Sequence, residues 1–304
     1  MRGLVDQPGL LATEQIDERY RDLDAIPTLE AMRALNEAEA SVPRAVAAVL
    51  PQIAAVVDAT AERLAAGGRL LYFGAGTSGR LGVVDASECP PTFHSAPEQV
   101  QGIIAGGMGA MFAAVEGAED SDALGAASVA ELGVTERDVV FGIAASGRTP
   151  FVLGAVRAGR AAGALTVGLS CNSDSALGAA VDLPIEVAVG AEVLSGSTRL
   201  KAGTATKQVL NMVSTGAMIR LGKTYGNLMV DLSVSNGKLR DRAERLIMAI
   251  TGADVGTAAS ALTASGLRVP VAAVMIARTT SRSDAEVLLA AAGGRLSGVL
   301  GVQA

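Results

Sequence analysis

The feature of this chain that most constrains its fold is a set of three glycine-rich turns that carry hydroxyl side chains, each preceded by a short apolar run. Glycine lets backbone N–H groups approach an anion closely, and a helix N-terminus favours negative charge. Since the first two turns are each followed by a helical pattern, they predict a phosphate-binding site. The turns are residues 74–80, 145–150 and 194–199.

Apolar segments and helical patterns alternate through the middle of the chain. Apolar strands without polar alternation, separated by helices, are typical of a parallel sheet covered on both faces. Ligands of such α/β sheets bind beyond the carboxyl ends of the strands, where two of the turns lie. The five predicted strands are residues 69–73, 100–104, 139–143, 165–169 and 183–187.

Helical patterns flank these strands, and after Gly203 little strand signal remains. Pro51 should kink or break one helix, and Pro90 and Pro91 should stop the helix that opens at the first turn. We expect an N-terminal helical arm (1–50), a sugar-phosphate-binding domain (51–222) and a helical C-terminal domain (223–304). The other predicted helices begin at Thr28 and at Ser41, or span 81–84, 108–115, 122–132, 204–222, 238–250, 254–265, 270–278 and 283–292, with one more from Pro150.

Charge and composition exclude several classes of protein. The net charge is −6 with no basic block, which argues against a nucleic-acid partner. No apolar run reaches the ~18 residues of a membrane span, and no secretory signal opens the chain. Cys89, Cys171 and the single His94 are too few for a disulfide framework or a zinc site. We expect a cytoplasmic protein without metal or cofactor.

The hydroxyls of Ser78 and Ser146 are the groups that we expect on phosphate oxygens. Helix capping alone would also explain Thr149, because Pro150 follows it. Arg80 and Arg148 could pair with the ligand or with nearby carboxylates. The predicted substrate- and phosphate-binding residues are Gly76, Thr77, Ser78, Gly79, Ser146, Gly147, Arg148, Thr149 and Ser195.

Two other phosphate-binding motifs fit poorly. The first turn matches G-x-G-x-x-G, but the acidic residue expected ~20 residues further on has only Glu88 and Glu98 near its place. That scheme also leaves the second turn unexplained. A P-loop is excluded because no Gly-Lys-Ser/Thr follows either turn.

Carboxylates between the first two turns are candidates for acid–base chemistry. Glu88 lies near the end of the first helix, where a solvated glutamate is the simpler explanation. Glu116 and Glu119 flank Gly117, and spacing does not choose between them. Asp120 or Ser121 could instead cap the next helix and complement its dipole. Two carboxylates in different environments can serve as an acid and a base.

Several motifs together resemble the N-acetylmuramic acid 6-phosphate etherases. They are Gly-Ala-Gly-Thr-Ser-Gly-Arg-Leu-Gly from residue 74, Asp-Ala-Ser-Glu-Cys-Pro-Pro-Thr-Phe from 85, Val-Glu-Gly-Ala-Glu-Asp-Ser from 115 and Gly-Ser-Thr-Arg-Leu-Lys-Ala-Gly-Thr-Ala-Thr-Lys-Gln from 196. Ile16 and Asp17 depart from the pattern. The resemblance implies a three-layer sugar isomerase (SIS) domain with a five-stranded parallel sheet, and a homodimer with its site near the subunit interface. It also implies that Glu88 and Glu119 are the active-site glutamates, which selects Glu119 over Glu116.

The implied reaction removes D-lactate from a sugar phosphate without a cofactor. A base takes the C2 proton, which the C1 aldehyde of the open-chain sugar acidifies, and an acid protonates the departing lactate oxygen. We assign the acid to Glu88, and give Glu119 either the base role or assistance to ring opening. Whether Arg199 or Lys207 contacts the ligand stays open.

Two alternatives use the same turns. A non-catalytic sugar-phosphate sensor of the glucokinase regulatory type would lack the Glu-Cys-Pro-Pro segment, which is present here from Glu88. An aldose–ketose isomerase would need a positioned His or Lys base, and we expect His94 in a surface loop. Fold alone does not separate these functions.

Overall fold

The computed structural model describes residues 11–113 and 115–301. A parallel sheet organises the middle of this chain, and its strands are β1 (Leu70–Gly74), β2 (Val100–Ile104), β3 (Val139–Ile143), β4 (Leu165–Ser170) and β5 (Leu183–Glu186). They form one five-stranded sheet in the order β2-β1-β3-β4-β5, with every neighbouring pair parallel. The predicted strands are confirmed to within one residue at each end.

Burial explains why these segments are strands. Every residue of β1 and β3 is buried, as expected for central strands that are covered on both faces. Tyr72 of β1 lies opposite Phe141 of β3, and their rings meet edge to face with centroids 5.3 Å apart. Such a pair adds about 0.5–1.5 kcal/mol to the burial of its surface.

Helices precede, separate and follow the strands, which confirms the α/β class. The break predicted at Pro51 is present, and Pro51 occupies the first turn of the helix that follows it. The helices up to residue 220 are α1 (Thr28–Glu39), α2 (Val42–Ala47), α3 (Leu50–Ala65), α4 (Gly76–Phe93), α5 (Asp122–Glu131), α6 (Pro150–Ala161), α7 (Ala176–Ala180) and α8 (Lys201–Arg220).

The prediction that Pro90 and Pro91 stop α4 is wrong, because the helix continues through them to Phe93. The proline φ is itself helical, and the pair removes only two N–H donors near the helix end. Continuation also buries Cys89 and Phe93, which lie four residues apart on one face. His94 follows the helix as an exposed residue with φ +51°, as expected for a surface loop.

The helix predicted over 108–115 is also wrong. The structure has a short 3₁₀ helix, Met108–Met111, and the described residues after it are turns and bends. Gly109 lies inside the predicted span, and glycine in a helix interior costs about 1 kcal/mol relative to alanine. The glycine content of this stretch outweighs its helical spacing of apolar residues.

The described chain forms two compact units. One comprises the described residues up to Ser87 with Glu98–Ser214, and the other comprises Glu88–Pro97 with the described residues from Thr215 onward. The second unit packs Ala, Val and Leu side chains of its helices into a core of its own. Its helices are α9 (Gly237–Thr251), α10 (Val255–Ala264), α11 (Val269–Arg278), α12 (Arg282–Ala291) and α13 (Leu296–Leu300).

The long helices α8 to α12 match the predicted ones closely, whereas α7 and α13 were not predicted. Each of these two has five residues, which is too short to display a helical period. Within residues 11–113 and 115–301, no single helix is long and apolar enough to cross a membrane. Two bent helix pairs reach that length and composition together.

Candidate functional site

A cavity of about 510 Å³ lies in the first unit at the carboxyl ends of β1 and β3. These strands are neighbours in the sheet, so the turns that follow them open into the same space. The structure therefore brings together the two turns that we predicted to bind phosphate, which are about 70 residues apart in sequence. The predicted residues that line the cavity are Gly76, Thr77, Ser78, Glu119, Ser146, Arg148 and Thr149.

The first turn passes directly from β1 into α4. Gly76 begins the helix with φ +52°, and Thr77 and Ser78 in its first turn line the cavity. Gly79, predicted as a binding residue, lies outside the lining. A Cβ at that position would lie 2.7 Å from the carbonyl oxygen of Gly74, so Gly79 is required for close packing of α4 on β1.

The second turn follows β3. Ser146 and Arg148 line the cavity, and the Arg148 N–H donates to Ser146 Oγ over 3.3 Å. Gly147, also predicted as a binding residue, is buried outside the lining with φ +69°. A Cβ there would lie 2.4 Å from the Ser175 Cβ, so only glycine permits this turn.

Thr149 occupies the position before α6, yet its side chain makes no capping hydrogen bond. The expectation that capping explains this residue is therefore wrong. Pro150 at the first helical position lacks an N–H and already has a helical φ, which reduces the need for a cap. The Thr149 side chain lies at the cavity instead.

The third turn contributes Thr198, whereas the predicted Ser195 is exposed and outside the lining. Glu192 is completely buried, and its carboxylate accepts the N–H groups of Lys201 and Ala202, both over 3.0 Å. Burial raises the pKa of Glu192, and these hydrogen bonds oppose the rise. The carboxylate fixes the start of α8 and thereby the turn that precedes it.

Acidic side chains form another part of the lining. Glu119 lies there, with its carbonyl fixed by the Phe151 N–H over 3.0 Å, and Asp120 lies beside it. Of the two residues expected to cap α5, Asp120 and Ser121, the structure selects Ser121, whose Oγ accepts the Leu124 N–H over 3.2 Å. Asp120 lines the cavity beside Glu119.

Glu88 lies in α4 and is exposed, and it is not among the residues that line the cavity. Three residues earlier, Asp85 is buried and accepts hydrogen bonds from Tyr72 (3.0 Å), Asn211 (2.6 Å) and Ser214 (3.1 Å). Burial raises the pKa of Asp85, and these three donors act in the opposite direction. This network fixes α4 one turn before Glu88.

The basic residues near the turns have different surroundings. Arg148 lines the cavity. Arg80 donates to the backbone carbonyls of Ala110 and Met111 over 2.7 and 3.0 Å, so its partners in the structure are carbonyls and not the carboxylates that we considered. Arg199 and Lys207 are exposed and do not contribute to the described lining.

Sequence reasoning did not select Glu14, Asp120 or Thr198 as site residues, although all three line the cavity. Thr198 belongs to the third glycine-rich turn, so the pattern of that turn could have identified it. Asp120 adjoins the predicted Glu119. Glu14 precedes β1 by more than 50 residues in an irregular segment. Thr13-Glu14-Gln15 resembles the N-terminal region of the etherases, but that likeness gave Glu14 no role in the site.

Comparison with known proteins places this geometry in a family. The model of the glucokinase regulatory protein N-terminal SIS domain matches residues 52–160. The N-acetylmuramic acid 6-phosphate etherase of Streptomyces avermitilis is 54% identical over 299 residues, covering 98% of this chain and 96% of its own. This chain belongs to the N-acetylmuramic acid 6-phosphate etherase family.

The likeness extends across distant bacteria. N-acetylmuramic acid 6-phosphate etherase 1 of Bacillus licheniformis is 48% identical, with 97% of each chain covered. Among solved structures, a phosphoheptose isomerase from Francisella tularensis aligns over 64% of this chain and all of its own, with a TM-score of 0.47 and 19% identity. Membership of this etherase family makes the chain an enzyme.

Proposed function

We propose that this enzyme cleaves the D-lactyl ether of N-acetylmuramate 6-phosphate, giving N-acetylglucosamine 6-phosphate and D-lactate. The observation that carries the proposal is full-length identity of 54% to an etherase, together with a cavity that combines hydroxyl-rich turns and carboxylates. The reaction belongs to amino-sugar catabolism and recycling of cell-wall sugars.

The turns supply the phosphate-binding part of the site. Ser78 and Thr77 lie in the first turn of α4, where free N–H groups and the helix dipole favour an anion. Ser146 and Thr149 add hydroxyl donors from the second turn, and Arg148 adds a positive charge. Binding energy from the phosphate, which does not react, holds the sugar against the carboxylates.

The chemistry is elimination followed by hydration. The open-chain aldehyde acidifies the C2 proton, which Glu119 removes as base, and the C3–oxygen bond breaks as the departing lactate oxygen is protonated by Glu88. Water then adds across the double bond, with hydroxyl at C3 and a proton at C2. Positioned acid–base groups contribute about 10²–10⁴-fold each to such steps.

A homodimer explains how Glu88, exposed and outside the cavity lining, takes part. We assign to each site the Glu88 of a second copy. The helix α1 has no buried residue, and its Leu29 and Met32 are 62% and 51% exposed, which suits contact with another chain. We place this dimer in the cytoplasm, which fits the lack of a disulfide between its two buried cysteines, Cys89 and Cys171, both among the described residues.

Complementation tests the dimeric site. Ser78→Ala and Glu88→Gln enzymes, each nearly inactive alone, are unfolded together and refolded as a mixture. If Glu88 acts in the partner's site, half of the dimers contain one intact site, and activity returns to roughly a quarter of the wild-type value. A mixture as inactive as its components would contradict this assignment.

Incubation with N-acetylmuramate 6-phosphate in D₂¹⁸O tests the reaction itself. We expect released D-lactate, deuterium at C2 and ¹⁸O at C3 of the amino-sugar product. Label in the lactate hydroxyl instead would indicate displacement rather than elimination. Bound but unchanged substrate would favour a sensor of the glucokinase regulatory type, whose domain model also matches part of the chain.

A further inference from the structure

The segment that carries Glu14 is fastened to the sheet beside the cavity. Thr13 is completely buried, its N–H donates to Asn172 Oδ1 over 3.3 Å, and its hydroxyl accepts from Asn172 Nδ2 over 3.0 Å. The same Nδ2 group donates to the Ala145 carbonyl of the second turn over 3.0 Å. Asn172 thus ties the N-terminal segment to a turn that lines the cavity.

This attachment determines where Glu14 lies. Glu14 ends a short 3₁₀ helix, Ala12–Glu14, and is one of the residues that line the cavity. Its Oε2 atom lies beside the third turn, because a Cβ built on Gly196 would be 3.6 Å from it. Within the described part of the chain, the Glu14 carboxylate makes no hydrogen bond or ion pair.

A structural role does not account for this carboxylate. Thr13 next to it provides the buried contacts that hold the segment, whereas Glu14 is exposed. A carboxylate also repels a phosphate group, and the cavity already holds Glu119 and Asp120. Glu14 therefore suits a part of the ligand that donates hydrogen bonds.

We propose that Glu14 contacts the substrate and sets specificity for the sugar, by accepting a hydrogen bond from a hydroxyl or acetamido N–H of the amino sugar. The inference rests on the proposed function for the identity of the ligand. A hydrogen bond to an ionised carboxylate is stronger than one to a neutral group. Replacement of Glu14 by neutral glutamine should therefore weaken the hydrogen bond from the sugar. Thr13 and Asn172 are positioning residues, since they act through Glu14.

Binding measurements separate contact with the sugar from contact with phosphate. Calorimetry compares N-acetylglucosamine 6-phosphate and inorganic phosphate as ligands of the full-length wild-type, Glu14→Gln and Glu14→Ala enzymes. We expect both variants to bind the sugar phosphate about 10- to 100-fold more weakly. Their affinity for inorganic phosphate should not fall, because removal of a carboxylate removes repulsion.

Two matched controls fix the interpretation. Glu18 is an exposed carboxylate in the same N-terminal segment, it pairs with Arg21 and it does not line the cavity, so Glu18→Gln should bind both ligands like the wild type. Ser78→Ala should weaken both ligands. Equal affinity of the wild-type and Glu14→Gln enzymes for the sugar phosphate would overturn the proposal.

The positioning role has its own readout. Thr13→Val removes the hydroxyl that Asn172 bonds, so we expect a raised KM with kcat within a few-fold of the wild type, and recovery in Thr13→Ser. An equal fall of kcat in Thr13→Val and Thr13→Ser would contradict it. If the wild-type enzyme releases no lactate, the proposed function fails, while a sugar-specific loss of affinity in Glu14→Gln still supports the contact.

Discussion

At the scale of single residues, two hydroxyl side chains that each stand directly before a helix have different tasks. Thr149 stands before α6 without capping it, whereas Ser121 caps α5 through its Oγ. Both positions read as helix starts in the sequence. Only the hydrogen bonds in the structure show that Ser121 makes a cap and Thr149 does not.

We predict that Thr149→Ala lowers the unfolding free energy by less than about 0.5 kcal/mol, because the hydroxyl makes no cap hydrogen bond. The substitution should raise KM several-fold, because we propose that the same hydroxyl binds the substrate phosphate. Ser121→Ala is the control and should cost about 1 kcal/mol, as loss of a cap does. Urea denaturation and initial rates measure both. Equal destabilisation by the two substitutions would restore the capping role of Thr149.

Two glycines with nearly equal φ values offer a second prediction. Gly147 and Gly107 have φ values of +69° and +71°, but a Cβ at 147 would lie 2.4 Å from the Ser175 Cβ and one at 107 meets nothing within 4 Å. Both alanine variants should lose about 1 kcal/mol to backbone strain. Gly147→Ala should lose about 1–3 kcal/mol more through the steric clash, and its affinity for phosphate should fall. Equal losses in thermal unfolding would contradict the packing shown for Gly147.

At the scale of elements, Asp138 joins the amino ends of β1 and β3. Its carboxylate accepts the Arg69 N–H over 2.9 Å and the Arg69 guanidinium over 2.8 and 3.0 Å, and also the Thr135 N–H over 2.9 Å. Burial acts to raise the pKa of Asp138, but the bonds from Arg69 and Thr135 outweigh it and hold the pKa below the usual 3.8.

Because folding lowers the pKa of Asp138, the unfolded chain binds the proton more readily. The contribution of Asp138 to the free energy of unfolding is therefore complete above pH 3.8, and it is lost as the pH falls through the pKa of the folded state. Asp138→Asn should lower the unfolding free energy by about 3 kcal/mol at pH 7, and by less near pH 3. Urea denaturation at both pH values measures this. Asp241→Asn breaks an exposed pair with Arg245 and should cost under about 0.5 kcal/mol. A deficit for Asp138→Asn that stays constant with pH would argue against the ion pair.

Elements also differ in how far the sequence determines them. The strands were predictable because each is an apolar run between glycines or polar residues. A run of five such residues is enough to be recognised. The region after Met108 and the end of α4 were not, since glycine content in one and burial of Phe93 in the other override local rules. Five-residue helices such as α7 leave no period to detect.

At the scale of the whole molecule, the candidate site is assembled from segments far apart in sequence. The turns could be predicted because glycine and hydroxyl residues at strand ends carry a local signal. Glu14 could not, because its place depends on the pairing of Thr13 with Asn172, 159 residues away. Only the folded chain brings Thr13 next to Asn172, and no short stretch of sequence indicates that they are neighbours.

Thiol reactivity reports on the integrity of the molecule. Cys89 and Cys171 are 2% and 1% exposed, and burial raises the pKa of the Cys171 thiol to about 12. We predict that the native enzyme reacts with dithionitrobenzoate at least ~1000-fold more slowly than a free thiol at pH 8, and that both thiols react in urea. Cys89→Ser and Cys171→Ser variants assign each thiol. Rapid labelling of either one without urea would indicate local opening.

The ion pair between β1 and β3 has a consequence at the opposite edge of the sheet. Strands β1 and β3 have five residues each and pair residue by residue. The ion pair between Arg69 and Asp138, which holds this register at one end, therefore also sets the separation of Ser78 from Ser146 at the other end. A slip of one residue would displace one hydroxyl cluster by about 3.3 Å, more than a hydrogen bond tolerates. A substitution at Asp138, far from the cavity, can therefore change the distance between the two turns that we propose to bind phosphate.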